Sequence, residues 1–108
     1  MSMLKKSALI ACLCAAPLIG AVARDGITVF QKGKSFSEKA ITLKIGQELL
    51  FINDDKVAHN VYSMVNGAKV DLGLQRPNQE GIMSFDTAGR YRVRCAIHPR
   101  MKMMVTVE

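Results

Sequence analysis

The sequence predicts an all-β domain, a sandwich or a barrel, and three observations carry that prediction. Short runs of β-branched and aromatic residues alternate apolar and polar side chains with period two. Glycine, asparagine, aspartate and proline punctuate the intervals between them. No stretch sustains the period of an amphipathic helix. Ile27-Thr28-Val29-Phe30-Gln31 reads as the first strand. Ala40 to Ile45 alternates apolar and polar residues and is broken by Gly46-Gln47. Leu49, Phe51 and Asn53 share one side of the next run, which ends at Asp54-Asp55. His59 to Ser63 and Ile82 to Phe85 follow, the latter leading into a turn at Thr87-Ala88-Gly89. Tyr91, Val93 and Cys95 then alternate with Arg90, Arg92 and Arg94, which puts the first set inward. Met103, Val105 and Val107 alternate with Lys102, Met104 and Thr106 in the last strand. Val65 to Gln79 lacks this pattern. Asn66-Gly67 suggests a tight turn and Arg76-Pro77-Asn78 another, so a long connection with at most one short strand is expected there.

The chain has 108 residues, 15 basic against 9 acidic, and three cysteines. That length holds one domain and excludes a multi-domain enzyme, a multi-copper oxidase or a nucleotide-binding βαβ repeat. Residues 1–23 read as a secretory signal peptide. Lys5 and Lys6 supply the positive start, an apolar run follows, and Ala21-Val22-Ala23 offers small residues for cleavage after Ala23. Retention as a membrane anchor is disfavoured, because Ser7 to Ala23 is only 17 residues long and contains Pro17. A lipoprotein box at Leu9-Ile10-Ala11-Cys12 is disfavoured too, since its apolar stretch is short and continues past Cys12. Removing 23 of 108 residues leaves an expected domain of 85, residues 24–108. Lys5 and Lys6 leave with the leader, so 13 basic groups face 9 acidic ones and the net charge is +4. Cys12 and Cys14 leave as well, and Cys95 stays alone. Exported small domains usually pair their cysteines. A lone thiol in an oxidising compartment therefore calls for something that occupies it.

The two histidines supply the answer. His98 lies three residues after Cys95, in Cys95-Ala96-Ile97-His98-Pro99-Arg100-Met101, and His59 lies 36 residues upstream of Cys95. Two imidazoles, one thiolate and one thioether suit copper in both oxidation states, and a His₂Cys site with a weak axial methionine is the blue-copper arrangement. Each residue alone has a plainer explanation: a core cysteine, a loop histidine, packing methionines. Together they would need the lone cysteine and both histidines to reach ligand spacing by chance. A structural zinc site would show a close companion for His59, and none exists. A Cys–His nucleophile pair would need a third residue to orient the base. Copper is the expected cofactor, one ion per chain cycling between Cu(I) and Cu(II).

These motifs resemble those of the small cupredoxins, in particular the amicyanins and the plastocyanin-like proteins associated with methylamine utilisation. The resemblance runs from about Ile27 to Glu108 and is carried by Ile41 to Gln47, Phe51-Ile52-Asn53-Asp54-Asp55 and His59-Asn60-Val61. Ala88-Gly89-Arg90-Tyr91, Cys95-x-x-His98-Pro99-x-Met101 and Val105-Thr106-Val107-Glu108 complete it. It implies a Greek-key β-sandwich with copper near one end, bound by His59, Cys95, His98 and Met101. It also implies that the Asn60 backbone N–H donates to the thiolate sulfur and ties the two ligand segments together. Plastocyanin spacing would select Met103 as the axial ligand and amicyanin spacing selects Met101. Met101 is preferred, because it leaves the seven residues Lys102 to Glu108 for the last strand and because Met103 reads as core. Ile97 and Arg100 depart from the usual amicyanin proline and phenylalanine.

The expected function is that of a monomeric periplasmic type 1 copper protein shuttling single electrons, and not an enzyme. Its expected partners are a redox donor and acceptor with acidic surfaces, such as a c-type cytochrome or a dehydrogenase. The rival reading is a copper-handling protein that carries the ion itself. Its five methionines outside the leader are scattered rather than arrayed, which favours electron transfer. Nucleic-acid binding by the arginine stripe fails on export and on the lack of exposed aromatics beside the arginines. No stable membrane insertion is expected. Ile97, Pro99 and Arg100, with Pro77 nearby, are the expected docking residues around His98. Arg90, Arg92 and Arg94 either join them or simply solvate a strand face.

Overall fold

The protein is described by a computed structural model over residues 26–108, so the expected leader at residues 1–23 lies outside the described residues. The strands are β1 (Ile27–Lys32), β2 (Ser35–Phe36), β3 (Ala40–Leu43), β4 (Glu48–Asn53) and β5 (Val61–Val65). They continue with β6 (Ala68–Asp71), β7 (Glu80–Ser84), β8 (Gly89–Cys95) and β9 (Lys102–Val107), and the described residues contain no helix. Two mixed sheets face each other as a Greek-key sandwich. One has the order β3-β9-β8-β5-β6 and the other β2-β1-β4-β7. The pairings β9–β3 and β1–β4 are parallel and the rest antiparallel.

The period-two pattern sorts the side chains as expected. Leu49, Phe51 and Asn53 of β4 point inward, as do Tyr91, Val93 and Cys95 of β8 and Met103, Val105 and Val107 of β9. With Val29, Phe36, Leu43, Val61, Met83 and Phe85 the apolar ones among them form one core between the sheets. Phe85 stacks on Tyr91 at 4.4 Å, and the Tyr91 hydroxyl donates to Thr87 O at 2.6 Å, pinning the turn before β8.

The stretch from Val65 to Gln79 holds the expected tight turn, one short strand and a connection: Asn66 (φ 52°) and Gly67 (φ 79°) form a two-residue turn between β5 and β6, and no strand follows β6 before β7. Positive φ at both central positions matches the right-handed twist of the flanking strands. Gly33 (φ 63°) and Lys34 (φ 55°) make the same kind of turn between β1 and β2, a two-residue strand too short for periodicity to reveal. His59 differs from the sequence expectation, standing ahead of β5 in an isolated bridge with Gln75 rather than starting the strand.

Candidate metal centre

Cys95 is the last residue of β8, and the alternation of that strand turns its thiol into the core. The chain then loops back to β9. The Met101 N–H donates to His98 O at 2.9 Å and the Cys95 N–H to Met101 O at 3.3 Å, which closes the loop. This closure sets His98 Nδ1 3.7 Å from Cys95 Sγ. Met101 ends the loop and is fully buried, while Ile97, Pro99 and Arg100 are exposed on its outside.

His59 reaches the same place from the segment that leads into β5, the strand paired with β8, and is completely buried. Its backbone is held on both sides by Gln75, with His59 N–H donating to Gln75 O at 3.0 Å and Gln75 N–H to His59 O at 2.8 Å. Its ring is aimed by Asp55, whose Oδ2 lies 2.9 Å from His59 Nε2. Asp55 is itself fixed, accepting from the Lys34 N–H at 2.8 Å and the Lys56 N–H at 3.0 Å. Behind it, the buried Asn53 amide donates to Val57 O and Gln75 O, and its oxygen accepts the Asp55 N–H. The Gln75 side chain donates to Phe51 O and accepts from Gln31 Nε2 at 2.9 Å. Gln31 is also fully buried, and its Oε1 has no protein partner among the described residues.

Three donors converge. His59 Nδ1 lies 3.1 Å from His98 Nδ1 and 3.7 Å from Cys95 Sγ. Bonds of about 2.0–2.3 Å from one ion to nitrogen and sulfur donors place those donors roughly 3–4 Å apart, so the set fits a single metal. The Asn60 N–H donates to Cys95 Sγ at 3.4 Å, and the Ala96 N–H donates to Asn60 O at 2.8 Å. Asn60 thus joins the two ligand segments. Its side chain is tied to Asp71, which also accepts the Gly73 N–H.

The electrostatics favour a neutral, metal-ready imidazole. Burial, then the charges of His59 and Lys34, push His98 below the ordinary histidine value, with the Asp55 carboxylate opposing them. The Lys34 amide, then the His59 ring N–H, hold the Asp55 carboxyl well below the usual carboxylate range. The Gly73 amide, then the Asn60 side chain, lower Asp71. Around the centre, Val57, Leu74 and Ile97 are exposed, one from each segment that builds the site. Pro77 is exposed in the turn after Gln75; Arg90 and Arg92 are exposed on β8, and Arg94 is half-buried.

His59, Cys95 and His98 therefore meet as the sequence indicated, and Asn60 makes the expected bond to sulfur. Sequence reasoning missed Asp55, Gln31 and Gln75, and placed Asn53 inward without giving it a role. For Asn53 and Gln31 a signal existed: each is a polar residue at an inward position of an otherwise apolar strand face. Asp55 looked like turn punctuation, and nothing local to it announces a partner four residues on.

The chain matches the family model for copper-binding proteins of the plastocyanin/azurin family over residues 27–108. It is 30% identical to the amicyanin of Paracoccus denitrificans over 97 residues, which is 85% of this chain and 73% of that protein. A reduced Cu(I) form of an amicyanin variant superposes with a TM-score of 0.72 at 26% identity, covering 82% of this chain and 88% of the other. The amicyanin of Paracoccus versutus superposes with a TM-score of 0.71 at 24% identity, covering 78% and 82% of the two chains.

Proposed function

Because the chain belongs to the plastocyanin/azurin family of copper-binding proteins, we propose that it is a type 1 copper protein that shuttles single electrons between redox partners. In this reading His59, Cys95 and His98 would hold the ion, with the Met101 thioether as a further, weaker ligand. Bound copper, alternating between Cu(I) and Cu(II), supplies the one-electron chemistry. The protein's own part is to fix the donors. Asp55 holds the outer nitrogen of His59 so that Nδ1 faces inward, and the Asn60 amide on sulfur holds Cys95 and tempers its charge. Donors held this firmly shift little when the charge of the ion changes, which favours fast transfer. The half-buried His98 offers its outer edge as the electron port, ringed by Ile97 and Pro99 for brief apolar contact.

The convergence of one sulfur and two Nδ1 atoms within 4.8 Å is the observation that carries this reading. The rival copper-carrier function would want thioethers displayed for exchange. Met83, Met101 and Met103 are instead buried in the core, and Met64 stands apart on β5. Membership of the plastocyanin/azurin copper-binding family is the ground on which we read the chain as an electron carrier rather than an enzyme. Export to the periplasm rests on the leader-like residues 1–23. No helix among the described residues is long and apolar enough to cross a membrane. Arg100 beside the port and the net charge of +4 expected after leader removal favour an acidic partner surface, such as that of a c-type cytochrome or a dehydrogenase. Partners meet the carrier as a monomer. Titrating the metal-free protein with Cu(II) tests the proposal: one equivalent should give an intense visible thiolate band and reversible one-electron reduction. A colourless Cu(II) complex would refute it.

A further inference from the structure

Outside the metal centre, a cleft of about 470 Å³ forms where β2 and Lys39 meet β8, β9 and the end of the ligand loop. Lys39, Arg92, Arg100 and Lys102 line it, and no carboxylate does. The strand register explains this gathering of like charges. Arg92 sits opposite Met104 on the outward face, with Lys102 two residues along β9 on the same face. Met104 N–H donates to Lys39 O at 2.9 Å, which brings Lys39 to the same rim. All four side chains are exposed, and none forms an ion pair among the described residues. The surface lysine pairs lie elsewhere, at Lys32–Asp54 and Lys69–Asp71.

Four positive charges around a concavity, with no carboxylate among the described lining residues, repel one another until an anion neutralises them. The volume is that of a small-molecule site. Thioether and aromatic groups on the wall, Met101 and Phe36 among them, would suit Cu(I) by softness, but four positive rims oppose a cation there. We propose that this cleft binds a small organic polyanion carrying phosphate or carboxylate groups. Because Met101 lines it, bound negative charge favours Cu(II) over Cu(I) and lowers the reduction potential, a consequence that rests on the proposed copper site. By reciprocity the oxidised protein binds the anion more tightly, by the factor that the potential shift defines.

The test is a titration of the Cu(I)-loaded protein with pyrophosphate and, separately, with citrate, at constant ionic strength balanced by sodium chloride. Amide chemical shifts should move saturably at Ser35, Lys39, Arg92 and Arg100 to Met104. Saturation with one probe only supports the site and tells phosphate from carboxylate as the ligand chemistry. Arg92→Gln and Lys39→Gln should each weaken binding by about tenfold, the loss expected for one charged hydrogen-bond donor. Lys44→Gln, which removes the same charge from a distant turn, should leave binding unchanged. None of the three should alter the visible spectrum. Shifts scattered over all lysines and arginines, or equal losses in all three variants, would overturn the site. Saturable binding with no fall in potential would overturn its link to the metal. The binding arm can also be read on the metal-free chain, so a failed copper assignment and a failed cleft remain distinguishable.

Discussion

His59 and His98 bring the same ring nitrogen to one point, but different kinds of structure hold them. His98 belongs to a short loop closed by its own backbone, with Cys95 and Met101 at its two ends. His59 is held by Asp55 and Gln75, and these are held in turn by Gln31 on β1, Lys34 in the first hairpin and Asn53 at the end of β4. The loop side puts several ligands into a few residues and leaves one edge near solvent. The His59 side spends a buried polar network on one ligand and leaves it no freedom. The contrast suggests a division of labour, with the scaffold fixing geometry and the loop supplying the sulfur and the way out for the electron.

Breaking the loop side should have the largest effect. Cys95→Ser should abolish the visible band outright, because a hydroxyl cannot replace a soft, covalent sulfur donor. Far-ultraviolet dichroism should show the metal-free fold intact, and a blue Cys95→Ser protein would remove the basis of the contrast. On the scaffold side, Asp55→Ala frees the His59 ring. Competition with a chelator should show copper affinity falling about 10- to 100-fold, the usual cost of losing the partner of a ligating histidine. Deeper in, Gln75→Met strands the Gln31 amide and Phe51 O in the core, which should cost about 1–3 kcal/mol in urea unfolding. Adding Gln31→Met should return part of that stability, because it removes the stranded Gln31 amide while Phe51 O stays without its side-chain donor. If the network also aims His59, the double variant will regain that part and still show an altered copper spectrum. The smallest effects should separate the two methionines. Met101→Leu should keep the colour and raise the potential, since losing a donor disfavours Cu(II). Met103→Leu, a near-isosteric swap, should cost under ~1.5 kcal/mol and leave the potential alone.

The same contrast explains what could be read from the chain. Strand alternation announced β8 and β9 because one face of each is buried, and that period survives in sequence. Cys95-x-x-His98-x-x-Met101 was legible because its chemistry is local. Asn60 was legible through resemblance, and its bond to sulfur spans 35 residues. The support of His59 was legible only as polar residues on inward strand faces, Gln31 and Asn53, without their partners. Gln31 and Gln75 meet across 44 positions, and only folding of β1 against the segment after β6 brings them together. The β1–β2 hairpin was hidden for a related reason: Lys34 in the left-handed region is not a turn signature, and Ser35–Phe36 is too short to show a period. Asn66-Gly67 did signal its turn, but Ala68 to Asp71 carries one half-buried side chain and three exposed ones, so β6 lacked an apolar stripe.

Crystal structures of the metal-free and Cu(II)-loaded protein, compared ring by ring, test the central claim most directly. The account predicts that the His59 ring keeps its place in both, with Nε2 on Asp55 and Nδ1 facing the ion. Any adjustment should fall in residues 96–101, on the loop that carries His98. A His59 ring that swings away from Asp55 when the metal is removed, or that binds copper through Nε2, would contradict a scaffold that sets the geometry before the ion arrives.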